Sequence, residues 1–388
     1  MTVERLRPYS VNVFAAMSAL AAEVGAVNLG QGFPDEDGPS AMLEVARQAI
    51  ADGVNQYPPG PGIAPLRQAI ARQRTRRYGA DFDPDSEVLV TVGASEAIAA
   101  TVLGLVEPGS EVLLIEPFFD TYSPVIAMAG SRRVSVPLVA DGRGFVLDVD
   151  AVRAAITPRT RALIVNSPHN PTGMVLSDDE LRALADIAIE ADLLVISDEV
   201  YEHLVFDGRR HLPISTYPGM VERTVTISSA AKMFNCTGWK IGWACGPAEL
   251  VAGVRTAKQY LSYVAGGPFQ PAVAYALDNQ DAWVAELRDS LQAKRDKLAA
   301  ALTGIGFAVH DSAGTYFLCA DPRPLGFADS TAFCDELPHR AGVAAIPMSA
   351  FCDRDAPEAW IHLVRFAFCK RDDTLDEAIT RLGVLAGG

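Results

Sequence analysis

The sequence predicts an α/β fold, with a large domain whose mostly parallel sheet lies between helices and a smaller α+β domain after it. Three observations predict it. Apolar strand-like runs alternate with helical patterns between residues 87 and 197, the arrangement that gives parallel strands covered by helices on both faces. The pattern changes near Gln280, where a long amphipathic stretch rich in Ala, Leu, Lys and Glu reads as a connecting helix. Beyond it, short strand-like and helix-like runs mix without the earlier alternation.

Taken in order, residues 1–45 lack a core of their own and are expected to pack with the small domain. Residues 46–280 form the expected large domain. Its strands are read at 87–92, 111–115, 161–166 and 193–197, with helices at 94–106 and 177–190. Ser177-Asp178-Asp179-Glu180 is a capping box and marks a helix start. Parallel strands here require right-handed connections. Residues 281–388 form the expected small domain. The connecting helix covers 282–302, strand-like runs fall at 307–310, 316–320 and 361–368, and helices at 331–341 and from Asp373 onward.

Bulk properties narrow the function classes. The 388 residues suggest roughly two or three domains at ~150 residues each. A hydrophobic fraction of 49% is enough for a sizeable core. A net charge of −15 argues against nucleic acid or an anionic membrane as a main partner. No apolar run reaches the ~18 residues that span a bilayer, and the first residues lack the apolar core of a secretory signal. Six scattered cysteines form no C-x-x-C pair, which argues against zinc ligation or a disulfide framework and favours a cytoplasmic setting.

Lys232 is one of six lysines among 33 basic residues, in Ser228-Ser229-Ala230-Ala231-Lys232, directly after an apolar run. An amine at a buried strand end has a lowered pKa and becomes a nucleophile able to form a Schiff base with an aldehyde cofactor. The alternative is a strand-end lysine that reaches solvent. Thr91-Val92-Gly93-Ala94-Ser95 is a strand end, a small-residue turn and a helix start, suited to a phosphate, or else a simple connection capped by Ser95. Asn166-Ser167-Pro168-His169-Asn170-Pro171 stiffens the carboxyl edge of a strand, where open α/β sheets place ligands. Asp198 and Glu199 end the apolar run 193–197. A carboxylate there needs a cation, such as a protonated pyridine nitrogen, unless the pair caps a helix. Tyr201 follows within reach of the same ring. Arg365 interrupts an apolar strand, where its planar fork suits a substrate carboxylate or a protein acid. Together these residues offer an amine, an acid for a ring nitrogen, donors for a ring hydroxyl, a phosphate cradle and an arginine, the set that pyridoxal phosphate chemistry requires.

With those motifs in this order, from Asn28-Leu29-Gly30-Gln31-Gly32-Phe33-Pro34 to Val364-Arg365-Phe366, the chain resembles the class I/II aminotransferases of fold type I over nearly its whole length. Glu116-Pro117-Phe118-Phe119-Asp120 places the resemblance in the kynurenine aminotransferase and glutamine transaminase K branch. The resemblance implies pyridoxal 5'-phosphate as cofactor, amino acids and 2-oxo acids as substrates, and a homodimer with shared sites. It implies Lys232 as the Schiff-base lysine, Asp198 against the pyridinium nitrogen, Asn170 and Tyr201 on the ring hydroxyl, and Phe119 stacked on the ring. Ala94, Ser95, Ser229 and Lys240 would hold the phosphate, with Tyr57 reaching that of the other subunit. Arg365 and Asn170, with Gly32 and Phe14 close by, would bind substrate; Tyr263 matches loosely. Lys240 stands where the family often has arginine, so the charge is kept and the fork is lost. For the amino donor the branch leaves two readings open. One is a succinylated diaminopimelate of lysine biosynthesis. The other is kynurenine, glutamine or methionine, with cysteine-conjugate β-lyase activity at the side. A non-catalytic regulator with this fold is expected to carry an added DNA-binding domain and a basic surface, against the net charge of −15 here, and an aldolase without the cofactor is told apart by the absence of aldimine absorbance.

Overall fold

A computed structural model describes residues 2–10, 13–353 and 358–386. Seven strands form the large sheet: β1 (Val88–Val92), β2 (Glu111–Glu116), β3 (Arg132–Pro137), β4 (Thr160–Asn166), β5 (Leu194–Asp198), β6 (Thr224–Ser229) and β7 (Ile241–Cys245). Their order is β1-β7-β6-β5-β4-β2-β3. The pairs within β6-β5-β4-β2-β3 are all parallel, and β7 runs antiparallel to both of its neighbours. The expected mostly parallel sheet is therefore present.

The central strands are continuous apolar runs because both of their faces are covered. Alternate side chains enter opposite cores. Leu163, Val165 and Val195 pack on one side with Leu184 and Ile187, whereas Ala162, Ile164 and Ile196 pack on the other with Ala97, Ile98 and Val102.

The helices of the described residues include α1 (Val13–Val24), α2 (Ser40–Ala51), α3 (Ala64–Tyr78), α4 (Gly93–Leu105), α5 (Asp178–Glu190), α6 (Phe269–Asn279), α7 (Asp281–Ile305) and α8 (Ser330–Ala341). The capping box at the start of α5 is formed in both directions between Ser177 and Glu180. Helix α7 is the long connector. It leads to an antiparallel sheet of β8 (Ala308–Val309), β9 (Phe317–Asp321), β10 (Ile346–Pro347) and β11 (Val364–Ala367), in the order β8-β9-β11-β10.

The amino-terminal segment joins this second unit. Val27–Asn28 pairs in parallel with Val343–Ala344, and Met17 of α1 shares a core with Leu337 and Ala341 of α8. Helix α2 crosses residue 45 and buries Met42 and Ala46 against Leu66 and Ala69 of α3 and Ala272 and Val273 of α6. One expected strand is corrected. Residues 361–368 do not form a single strand, because Ile361 ends the short helix Glu358–Ile361 and β11 begins only at Val364.

Behind the sheet, Arg74 of α3 is fully buried and its Nη1 donates to Glu199 Oε2 and Glu202 Oε2, each at 2.9 Å. Glu202 in turn accepts from the Ser228 hydroxyl of β6 at 2.5 Å. This brace ties the end of β5 to the end of β6. Burial works against the Glu199 carboxylate, but Arg74 and His211 together outweigh it and hold the carboxyl below its usual range.

Candidate active site

The parallel topology brings the carboxyl ends of β4, β5 and β6 to one edge, with Asn166 paired in register with Asp198. Strand β1 ends on the same edge and turns at Gly93 into α4. Together they line a cavity of ≈ 340 Å³, whose wall includes Phe14, Gly32, Ala94, Ser95, Phe119, Asn170, Asp198, Tyr201, Ser229, Lys232, Lys240 and Arg365. Every site residue expected from the sequence except Tyr57 and the loosely matched Tyr263 is thus gathered in one place.

Lys232 sits in the single turn of helix after β6. Its Nζ donates to the Tyr316 hydroxyl at 2.7 Å and to the Gly32 carbonyl at 3.3 Å. Burial pulls the amine from 10.5 down to about 8. The residue is therefore not a solvent-seeking surface lysine. Asp198 ends β5, and no helix follows it, so the helix-cap alternative fails. Its Oδ2 accepts from the Tyr122 hydroxyl at 2.6 Å and its Oδ1 from the Val200 amide at 3.3 Å. Burial nevertheless raises its pKa to about 6. A cation facing it from the cavity would reverse that shift.

The end of the cavity expected to take a phosphate is built by close backbone approach. A side chain on Gly242 of β7 would meet the Gly93 carbonyl carbon at 2.5 Å and the Ala94 nitrogen at 2.6 Å, so only glycine lets β7 lie this close to the turn. Lys240 has a left-handed backbone, φ 54°, and its Nζ lies 3.2 Å from where a Cβ on Gly93 would stand. That puts one cation over the amino end of a 13-residue helix, beside Ser95. Ser229 reaches the same wall, but its hydroxyl donates to Ile241 O at 3.1 Å and accepts from Ala231 N at 3.0 Å.

Arg365, on β11, comes from the small domain. Its Nη1 donates to Asn170 Oδ1 at 2.9 Å and its Nη2 to Gly30 O at 3.0 Å, while its buried Nε has no partner. The guanidinium lies 3.8 Å from the Phe317 ring centroid and 4.5 Å from that of Phe351. No carboxylate among the described residues forms an ion pair with it, so pairing with a protein acid is ruled out there. Burial draws even this group down to about 10. Phe14 closes the wall at 5.4 Å from the same guanidinium, held by a bond from Gln31 Nε2 to its carbonyl.

The loop after Leu29 is tied down from below. Its carbonyls accept from Arg365 at Gly30, from Lys232 and Tyr316 at Gly32, and from Lys370 at Phe33. Any side chain at Gly32 would strike the Phe317 ring at 2.5 Å.

Tyr57 stands apart, 81% exposed, with its ring edge-on to Tyr263 at 5.5 Å, and neither touches this cavity. The sequence reading missed Tyr122 and Tyr316. Both look like core tyrosines, and their partners lie 76 and 84 residues away along the chain. A hydroxyl that must find a partner once buried is the signal that was available.

These residues fit pyridoxal phosphate: an amine of lowered pKa, a buried carboxylate for the ring nitrogen, an aromatic face, and a cationic turn for the phosphate. Comparison with known proteins agrees. Residues 24–382 match the family "Aminotransferase class I and II". The chain is 75% identical, over 100% of its length and 99% of the relative's, to a protein of Mycobacterium tuberculosis described as a probable N-succinyldiaminopimelate aminotransferase. It is 38% identical to rat kynurenine–oxoglutarate transaminase 3, covering 97% of this chain and 88% of that one. Among solved structures, the N-succinyldiaminopimelate aminotransferase of M. tuberculosis superimposes with a TM-score of 0.98 at 76% identity, covering 100% of both chains. A methionine aminotransferase of Escherichia coli gives 0.93 at 38% identity, covering 98% of this chain and 99% of that one. The chain therefore belongs to the class I and II aminotransferases and is a pyridoxal phosphate-dependent transaminase of fold type I.

Proposed function

We propose that the protein moves the amino group of N-succinyl-diaminopimelate to 2-oxoglutarate, as a step of lysine biosynthesis. Identity of 75% over the full length to a relative described by that activity carries the choice of donor. The buried, acid-free Arg365 facing Lys232 in one cavity carries the chemistry. Relatives named for kynurenine or methionine stand at 38% identity and favour the broader donor range less.

Bound pyridoxal phosphate supplies an aldehyde and an electron-withdrawing ring that acidifies the substrate's Cα–H. This chain's residues do the rest. Arg365 receives the substrate's α-carboxylate on its fork, with Asn170 alongside, and gains the counter-charge that the protein does not give it. Asp198, steadied by Tyr122, holds a proton on the ring nitrogen, and Tyr201 and Asn170 orient the ring hydroxyl. Lys232 Nζ takes the Cα proton and returns it on the same face. An amino acid leaves as its oxo acid, and 2-oxoglutarate then leaves as glutamate. Tyr57 completes the phosphate site of a second copy in a cytoplasmic homodimer.

The test is a side-by-side assay with 2-oxoglutarate as acceptor. N-succinyl-diaminopimelate should exceed kynurenine and methionine in kcat/KM by at least about 100-fold, the scale set when a polar subsite is filled or left unpaired. Equal or reversed values would overturn the choice of donor and leave the transaminase assignment intact.

A further inference from the structure

We propose that Tyr316 is a positioning residue for the proton transfer: its hydroxyl and the Gly32 carbonyl take the two amine hydrogens of Lys232, which points the lone pair of Nζ into the cavity. Tyr316 is 1% exposed. Its ring is fixed edge-on between Tyr201, at 5.1 Å and 89°, and Phe317, at 4.9 Å and 68°. The turn that presents it is pinned as well. Thr315 has a left-handed φ of 67°, its amide donates to Leu204 O at 2.9 Å, and Tyr316 O accepts from Phe368 N at 3.0 Å. The hydroxyl therefore has little freedom to move.

Its own hydrogen has partners other than the lysine, namely the Gly32 carbonyl and the Tyr201 hydroxyl. Tyr316 Oη donates to Gly32 O at 2.5 Å, which satisfies the burial requirement of a tyrosine without any help from the lysine. Towards Lys232 that oxygen acts as acceptor, at 2.7 Å, and Gly32 O is the second acceptor, at 3.3 Å. A neutral amine has two hydrogens and one lone pair in a near-tetrahedral arrangement. With both hydrogens directed at fixed acceptors, the lone pair faces away from them, on the side where Lys232 lines the cavity. Cys369, Arg365, Asp198 and Lys240 are the other ionisable groups acting on Nζ, and they do so through space. Without the hydroxyl, a four-carbon side chain freed from its covalent partner would sample many rotamers, few of them aimed at the substrate's Cα.

Tyr316→Phe removes one oxygen and keeps the ring. The expected result is a fall in kcat of about 10–100-fold, the effect of losing one hydrogen bond to a charged or reacting group, with KM for the amino donor within about threefold. The isotope effect of an α-deuterated donor should rise, because proton transfer then limits turnover. In cofactor-free protein, acylation of Lys232 followed by mass spectrometry against pH should shift its midpoint downward, since the ammonium form loses an acceptor. Thr315→Ala loosens the same turn but keeps the hydroxyl, so it should lower the melting temperature without moving that midpoint. If Tyr316→Phe fails to fold, a fluorinated tyrosine at 316, a weaker acceptor of the same shape, should give a smaller shift in the same direction. A kcat within twofold of the parent, an unchanged isotope effect, or a midpoint that does not move in either Tyr316 variant overturns the proposal.

Discussion

At the scale of single residues, the site consists of groups held away from their ordinary proton affinity. Burial lowers Lys232 to about 8, so at neutral pH most of its amines are protonated and cannot attack an aldehyde. The rate at which cofactor-free protein captures pyridoxal phosphate should therefore rise about tenfold per pH unit below that value and level off above it. Stopped-flow absorbance across pH 6 to 10, about two units either side, would show this. A flat profile would contradict a buried, titrating amine. Asp198 depends on Tyr122 to stay ionised. Tyr122→Phe removes a hydrogen bond to a carboxylate, about 1.5–3 kcal/mol, and should weaken cofactor affinity by about 10–100-fold while leaving the fold intact. Equilibrium dialysis reads this directly. Lys232, Asp198, Asn170 and Arg365 were legible because polar groups at the ends of, or inside, apolar runs have few structural reasons to be there. Tyr122 and Tyr316 were not, because a tyrosine near an apolar run is ordinary core material until its hydroxyl partner is known.

At the scale of elements, the strands and helices read in the large domain fall within a residue of their observed bounds, whereas Arg132–Pro137, Ile241–Cys245, Ala64–Tyr78 and Phe269–Asn279 were not read. The Ser177–Glu180 box set the start of α5, and the apolar runs at 162–165 and 194–196 read as strands because they alternate with helical patterns. The stretch 361–368 misled because an apolar run buries equally well in one turn of helix and in a strand, and periodicity over so few residues does not separate them. Glu199 was read together with Asp198 but serves a different end: it belongs to Arg74. That brace holds β5 and β6, the strands that deliver Asp198 and Lys232. Arg74→Met leaves two carboxylates buried side by side without their cation and should cost about 3–5 kcal/mol, read as a large fall in denaturation midpoint. A change below about 1 kcal/mol would show that water reaches the carboxylates.

At the scale of the whole molecule, the site is assembled from three separate stretches: the carboxyl edge of the large sheet, Arg365 and Tyr316 from the small domain, and the loop after Leu29. No helix among the described residues is long and apolar enough to cross a membrane. The outlying Tyr57, exposed and edge-on to the exposed Tyr263, forms an aromatic pair that a second copy would cover in the proposed homodimer. Tyr57→Ala should then weaken phosphate retention, and hence cofactor affinity, by about tenfold, while sedimentation still reports a dimer. Unchanged affinity would mean the active site is complete within one chain. Sequence alone could not place this surface, because exposure is a property of the folded chain.

The tethered loop from Gly30 to Phe33 has one more consequence. Two of its anchors, Lys232 and Arg365, are also the groups proposed to engage the aldehyde and the incoming carboxylate. A ligand that engages either group competes for a strap on a loop that lines the same cavity, so occupancy of the site is felt in the backbone beside it.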